Sequence, residues 1–191
     1  MLLLPGWQNS GPNHWQSLWQ VAHGYTRVEQ HDWVRPLRGD WVARLQEVVL
    51  EHAAGSHSAA PAGIVLVAHS LGCHLVAAWA AHSPLARHVQ GALLVAPGDP
   101  QREELATVLA SWRHLVLERL PFPSLLLGSH DDPYCALARA QAFATAWGSR
   151  FVDYGHCGHI NADSGLGAWP QGHAMVQQLC LPDTSASAAT G

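Results

Sequence analysis

The side chains best suited to chemistry in this chain are a serine, a pair of aspartates and a pair of histidines. They are Ser70, Asp131 with Asp132, and His156 with His159, in that chain order. A serine hydroxyl is a weak nucleophile at neutral pH unless a histidine removes its proton, and that histidine needs a carboxylate to hold its tautomer. Together these residue types predict nucleophilic acyl transfer, provided that the surrounding elements bring them to one place.

Ser70 lies where an apolar run meets an alanine-rich stretch. Residues 64–68 are apolar without alternation, as in a strand covered on both faces of a parallel sheet, and residues 71–82 predict a buried helix. Ala68 and Gly72 place small residues two positions from the serine on each side. A nucleophile elbow needs them there because its strand and helix nearly touch. The alternative is that Ser70 only caps the helix, since serine is a preferred N-cap residue.

The aspartates and the histidines both follow predicted strands, at the edge where a parallel sheet binds its ligands. Only one aspartate can reach a histidine, and the rigid proline after Asp132 slightly favours it over Asp131. Glycines around His156 and His159 permit tight turns, and His159 is favoured because it lies deeper in the loop. Successive side chains diverge at a sharp turn, so we interpret His69 as a packing or orienting contact.

A negative oxygen that develops during acyl transfer needs preorganised backbone N–H donors. One is the N–H of Leu71, which follows the serine at the start of the predicted helix, where the helix dipole also helps. A second is expected in the loop after the first strand, where Gly6 permits a sharp turn and Trp7 offers its N–H. An ordinary glycine turn is the alternative interpretation of that loop.

Six apolar runs alternate with six amphipathic or alanine-rich stretches, which predicts an α/β fold with a mostly parallel sheet flanked by helices on both faces. The predicted strands span residues 2–4, 27–30, 64–68, 92–96, 124–127 and 150–152. The predicted helices span residues 14–23, 40–52, 71–82, 103–113, 136–147 and 168–181. We expect a single domain over residues 1–181 and a disordered tail over residues 182–191.

Length and charge limit the class of protein. A chain of 191 residues can bury a substantial core, and ten Lys and Arg against 14 Asp and Glu give a net charge of −4 without a basic run. Neither a nucleic acid nor a membrane is an expected partner. The apolar N-terminal stretch is too short for a signal peptide, and no segment approaches the ~20 apolar residues of a membrane span. We predict a cytoplasmic monomer or weak homo-oligomer with free thiols at its four scattered cysteines.

Several motifs spread along the chain carry a family resemblance. They are Pro5-Gly6, Asp32-Trp33 with Pro36, Asp40-Trp41, Ala68-His69-Ser70-Leu71-Gly72, Asp132-Pro133-Tyr134, Gly158-His159-Ile160-Asn161-Ala162-Asp163-Ser164-Gly165 and Trp169-Pro170. Together, over nearly the whole chain, they resemble the small YdeN-like serine hydrolases, which include the retinoblastoma-binding protein 9 type. The resemblance implies a compact α/β-hydrolase fold without a lid domain. It also implies a triad of Ser70, Asp132 and His159, because the family's acid precedes the proline and its base follows Cys/Ala-Gly.

One departure concerns the L-x-C-x-E motif that engages retinoblastoma proteins. The corresponding stretch, Leu71-Gly72-Cys73-His74-Leu75, ends in leucine and lies in the predicted elbow helix. That binding role is therefore not carried over.

The substrate is less well defined by the sequence. Of nine tryptophans, four lie in or near loops at the expected active end and could line a substrate pocket, namely Trp7, Trp15, Trp33 and Trp169. Packing in the core is the alternative for them. We predict a serine hydrolase that cleaves a small carboxylic ester, thioester or amide through an acyl-enzyme. No cofactor is expected, and no metal, since no H-E-x-x-H motif occurs. The alternatives are a non-catalytic binding or scaffold protein on the same fold, and an acyltransferase.

Overall fold

The computed structural model describes residues 1–55 and 63–180. Two parts of the prediction lie outside this description, namely the end of the last helix at residue 181 and the tail at residues 182–191. Within the described ranges the predicted α/β architecture is confirmed, because a parallel sheet is packed between two layers of helices. The assignment of one domain remains a prediction.

Short apolar runs form the strands of the described sheet, and every pairing between neighbours is parallel. The strands are β1 (Leu2–Leu4), β2 (Thr26–Arg27), β3 (Ile64–His69), β4 (Val89–Val95), β5 (Ser124–Gly128) and β6 (Arg150–Asp153). Their order across the sheet is β2-β1-β3-β4-β5-β6. The central strands β3 and β4 are covered on both faces, which explains why their apolar residues do not alternate with polar ones.

Two helical layers cover the sheet because successive strand residues point to opposite faces. The described helices are α1 (Trp15–His23), α2 (Arg38–Gly55), α3 (Leu71–Ala80), α4 (Leu137–Trp147) and α5 (Pro170–Leu179). Leu2 and Leu4 of β1 belong to a core shared with α2, α3 and α4. Leu3 between them belongs to a second core, shared with α1 and α5. None of the helices in residues 1–55 and 63–180 is both long and apolar enough to cross a membrane.

The second strand is shorter and earlier than predicted. It spans Thr26–Arg27 rather than residues 27–30. Its only strand neighbour in the described sheet is β1, whose Leu2 and Leu3 pair with Thr26 and Arg27. The last backbone bond between the two segments runs from Val28 N–H to the Leu3 carbonyl at 2.9 Å, directly after the end of β2.

The helix predicted over residues 103–113 is wrong. The segment instead forms two separate 3₁₀ turns, Glu103–Leu105 and Ala110–Trp112. No side chain caps either turn in this fully described segment. The second turn is held from outside, because Trp112 Nε1 donates to the Pro36 carbonyl at 3.0 Å. Bonds to neighbouring loops therefore replace the ladder of a continuous helix.

The parallel topology collects the carboxyl ends of the strands at one edge of the sheet. Trp7 follows β1, Ser70 follows β3, Gly98 follows β4, Asp132 follows β5 and His159 follows β6. Residues far apart in the sequence thus meet at this edge, as expected for ligand sites of open α/β sheets.

Candidate active site

Ser70 occupies a strained turn between β3 and α3. Its backbone lies at φ 54° and ψ −121°, a conformation that non-glycine residues rarely adopt. Its N–H donates to the Val95 carbonyl at 3.0 Å, and its own carbonyl accepts from Cys73 N–H at 3.0 Å. The Ser70 side chain makes no capping hydrogen bond to α3, a helix that is described throughout. The N-cap interpretation is therefore not supported, and the hydroxyl is left for another role.

Two glycines are required where the loop after β1 meets this turn, because the two backbone segments approach each other closely. A Cβ atom at Gly72 would lie 2.2 Å from the Leu4 carbonyl oxygen, and one at Gly6 would lie 2.7 Å from the Ser70 Cβ. Real Cβ atoms do not come this close to other atoms. The loop after β1 is thus pressed directly against the serine.

His159 is bonded to Asp132 and not to Asp131. Its Nδ1 lies 2.9 Å from both Asp132 carboxylate oxygens. The His159 side chain is 8% exposed and the Asp132 side chain 2%, so water barely competes for the contact. A carboxylate can only accept, so Nδ1 carries the proton and the Nε2 of neutral His159 keeps a lone pair.

Asp131 has a structural position in the neighbouring loop. One of its oxygens accepts from Gly158 N–H and from the Ser129 hydroxyl, each at 2.8 Å. The Gly158 bond, with the Ser129 bond second, lowers the pKa of Asp131 below its usual value. His156 is exposed, and its ring stacks on His130 at a centroid distance of 5.1 Å. The contacts of both residues are therefore with loops rather than with the His159 ring.

Two further histidines lie next to His159 and to each other. His69 Nε2 donates to the His159 backbone carbonyl at 2.9 Å, which agrees with an orienting contact. Burial holds the pKa of His69 well below its ordinary value, so this imidazole is neutral. The ring of His14 lies 4.8 Å from that of His69, and its Nδ1 accepts from Gln16 N–H at 3.1 Å. His14 Nε2 has no hydrogen-bond partner among the described residues, and burial lowers the pKa of His14 to about 3.

The two expected oxyanion donors belong to segments that approach each other at the serine. Leu71 is the first residue of α3, so its N–H has no acceptor within the helix. A Cβ at Gly6 would be 3.2 Å from the Leu71 nitrogen, which places the Gly6-Trp7 peptide beside that N–H. The indole Nε1–H of Trp7 donates a hydrogen bond to the Val34 carbonyl at 2.9 Å, so the donor expected from Trp7 is its backbone N–H.

A cavity of about 240 Å³ opens over Ser70. Its wall includes Trp7, Leu71 and His159, so the residues expected to supply the nucleophile, the base and the backbone donors border one space. Asp132 lies behind His159 and does not belong to the wall. The arrangement suits attack by a serine on a carbonyl group held between the histidine and the backbone donors.

Of the four tryptophans expected at the substrate pocket, Trp7 lines this cavity, and the other three are not among the described residues that line it. Trp15 and Trp169 are 1% and 0% exposed, and their ring centroids are 4.9 Å apart in the second core. Trp33 packs edge-on against Trp41 at 5.3 Å. The pocket expectation is corrected because large aromatic rings are stabilised by burial, and Trp15 Nε1 finds an internal acceptor, the Ile160 carbonyl, at 2.8 Å.

Other residues on the cavity wall were not predicted as site residues. They include His14, Leu105, Leu109, Tyr134 and Asn161. Tyr134 and Asn161 belong to the motifs that carry the family resemblance, and those motifs were the sequence signal that could have indicated them as site residues. The two leucines had no such signal, because their segment was predicted to be a helix.

Within residues 1–55 and 63–180, no three His, Cys, Asp or Glu side chains are grouped to hold a metal ion. The described cysteines are all free thiols, and Cys73 and Cys135 are buried. Burial raises the pKa of Cys135 to about 12, so this thiol stays protonated near neutral pH.

The fold and the solved structures that are similar to it define an α/β-hydrolase. A YdeN-like hydrolase from Pectobacterium atrosepticum is 30% identical, with 95% of this chain and 92% of that chain covered and a TM-score of 0.76. The ydeN gene product from B. subtilis is 18% identical over 93% and 96% of the two chains, with a TM-score of 0.70. The Bacillus cereus carboxylesterase is 16% identical over 93% and 85%, with a TM-score of 0.58.

The family is established by the sequence match as well as by these folds. The serine hydrolase family model matches residues 1–178. The chain therefore belongs to the serine hydrolase family and, within it, to the YdeN-like hydrolases. No curated protein matches it in sequence.

Proposed function

We propose that this hydrolase cleaves a small carboxylic ester, thioester or amide through an acyl-enzyme, with Ser70 as the nucleophile. The observation that carries the proposal is the pair of 2.9 Å contacts from His159 Nδ1 to Asp132, made by a histidine that shares its cavity with Ser70. These contacts favour the tautomer whose Nε2 can accept a proton.

In the proposed reaction the Ser70 oxygen attacks the substrate carbonyl carbon while His159 Nε2 takes the hydroxyl proton. The backbone N–H groups of Trp7 and Leu71 stabilise the oxyanion. The bond to the leaving group then breaks, and His159 returns the proton to that group. Water attacks the acyl-enzyme with His159 again as the base, which releases the acid and restores Ser70. Asp132 holds the imidazole and stabilises its cationic form throughout.

Ester hydrolysis is the form of the reaction to test first. The Bacillus cereus neighbour is named a carboxylesterase, and although that likeness concerns the fold, it indicates that such a scaffold supports ester cleavage. An acyltransferase would use the same residues and differ in the acceptor. Added alcohols or amines would then become acylated in preference to release of the free acid.

Labelling with a fluorophosphonate, followed by peptide mass spectrometry, tests the proposed nucleophile. The wild type should carry the adduct at Ser70, and Ser70→Ala should fold normally but lose both the label and hydrolysis of p-nitrophenyl acetate. Ser149→Ala is a matched control, because the Ser149 hydroxyl contacts that of Ser124 at the amino end of β5. A folded wild type that takes no label and cleaves no ester would contradict the proposal and favour a binding or scaffold protein.

A further inference from the structure

The wall of the cavity carries little charge. Among its described residues it has one carboxylate, Asp99, and no lysine or arginine. Asp99 is already paired with Arg139 at 3.1 Å, and the nearby Arg102 is bonded to Glu104. An anionic acyl group would therefore lose its water without gaining a cationic partner, which is unfavourable.

One side of the cavity is an apolar wall formed by Leu105 and Leu109. Leu109 is 4% exposed and belongs to the main core, and Leu105 packs against that core. Their backbones are joined by a 2.9 Å bond from Leu109 N–H to the Leu105 carbonyl. The segment is further tied by the Arg113–Glu103 ion pair at 3.0 Å. Core packing and these bonds together give the wall a defined position.

The size of the cavity restricts the length of the substrate. Its volume of about 240 Å³ is below the roughly 300–1,000 Å³ of pockets that take drug-sized ligands. A long acyl chain would either press on the leucine wall, where overpacking is unfavourable, or extend past it into solvent, where its further methylene groups gain no burial. A short chain would instead bury its methylene groups against that wall.

We propose that the site takes short, uncharged acyl groups, which pack against Leu105 and Leu109. This inference rests on the proposed function, since it assigns the acyl part of the substrate to the cavity over Ser70. It makes the two leucines specificity-determining residues that set the permitted chain length.

A series of p-nitrophenyl esters from acetate through butyrate and hexanoate to octanoate tests the length limit. The wild type should prefer acetate or butyrate over octanoate in kcat/KM by at least about tenfold, since a single methylene group that does not fit costs about 10- to 200-fold in a closely fitting pocket. Leu109→Ala and Leu105→Ala should each move the preferred ester to a longer chain. Leu105 is half-buried, so its variant remains informative if Leu109→Ala fails to fold. Leu50→Ala is the control, because Leu50 is 55% exposed on α2 and does not line the cavity.

A comparison of the p-nitrophenyl ester of pentanoate with the similarly sized hemisuccinate tests the charge. The neutral ester should be cleaved at least about tenfold faster in kcat/KM, because the carboxylate of the hemisuccinate finds no cationic partner in the cavity. Tenfold corresponds to about 1.4 kcal/mol. If Ser70 is labelled but octanoate or hemisuccinate is the better substrate, the inference is wrong while the proposed function stands. If Ser70 takes no label and no ester is cleaved, the proposed function fails and this inference fails with it.

Discussion

The Nε2–H of His69 donates to the backbone carbonyl of His159 across 2.9 Å. This bond links the residue beside the serine to the residue proposed as its base, so it couples the β3–α3 turn to the loop after β6. Both imidazoles are buried, at 5% and 8% exposure, and their ring centroids are 4.7 Å apart. We therefore expect His69 to be a positioning residue, which acts on the reaction through the placement of His159.

Replacing His69 by phenylalanine should lower kcat by about 10- to 100-fold, because the ring is kept while the donor that places His159 is lost. KM should change little, since the lost bond is made to the His159 backbone and phenylalanine keeps a ring at this position on the cavity wall. Steady-state kinetics over a pH series measure the effect. His69→Gln, which keeps an N–H donor, should recover part of the rate. A phenylalanine variant with wild-type kcat and pH profile would show that the bond does not position the base.

The adjacent aspartates should differ sharply when each is changed to asparagine. Asp132→Asn should lower kcat on the order of 10⁴-fold, because an amide facing His159 Nδ1 favours the wrong tautomer. Asp131→Asn keeps an oxygen that can accept from Gly158, so its loss should be less than about tenfold. Ester hydrolysis by the two folded variants measures the difference. Equal losses would argue against Asp132 as the partner of the base.

Gly72 should tolerate no side chain. In Gly72→Ala the added carbon would meet the Leu4 carbonyl oxygen at 2.2 Å, and backbone on both sides prevents a simple adjustment. The free energy of unfolding should fall by about 3 kcal/mol or more. Gly11→Ala is the matched control, because a Cβ at that position meets nothing within 4 Å. Urea unfolding of the two variants gives the comparison, and similar stability would contradict the close approach.

Buried histidines should make the fold sensitive to acid. Burial lowers the pKa of His14 from 6.5 to about 3, so below pH 6.5 the unfolded chain binds a proton that the folded protein excludes. The free energy of unfolding is therefore not reduced by His14 above pH 6.5. As the pH falls from 6.5 toward 3, it decreases by about 1.4 kcal/mol per pH unit because of this residue.

His14→Asn tests this linkage, because asparagine can still accept from Gln16 N–H at the start of α1 but does not titrate. Between pH 6.5 and 4 the unfolding free energy of the variant should decline less steeply than that of the wild type, by about one proton. Denaturant unfolding at several pH values measures both slopes. The reference is pH 8, at which His14 is unprotonated in both the folded and the unfolded wild type. Identical slopes would show that His14 is protonated in the folded state.

The sequence by itself determined the α/β class, the family and the position of the serine between a strand and a helix. The class follows from the alternation of apolar runs with helical stretches, and the family from motifs spread along the chain. The position of the serine follows from short-range signals, since the apolar run, Ser70 and Gly72 lie within a few residues of one another. Five of the predicted helices correspond to described helices for the same reason, because periodicity and turn residues act locally.

Only the tertiary structure decided which groups touch. Asp131 and Asp132 are adjacent in sequence, and their different partners depend on how the loops after β5 and β6 meet. The burial of Trp15 against Trp169 and the leucine wall over Ser70 likewise depend on segments far apart in the chain. Such contacts form because the sheet fixes the relative positions of its strand ends, and no local pattern of residues contains that information.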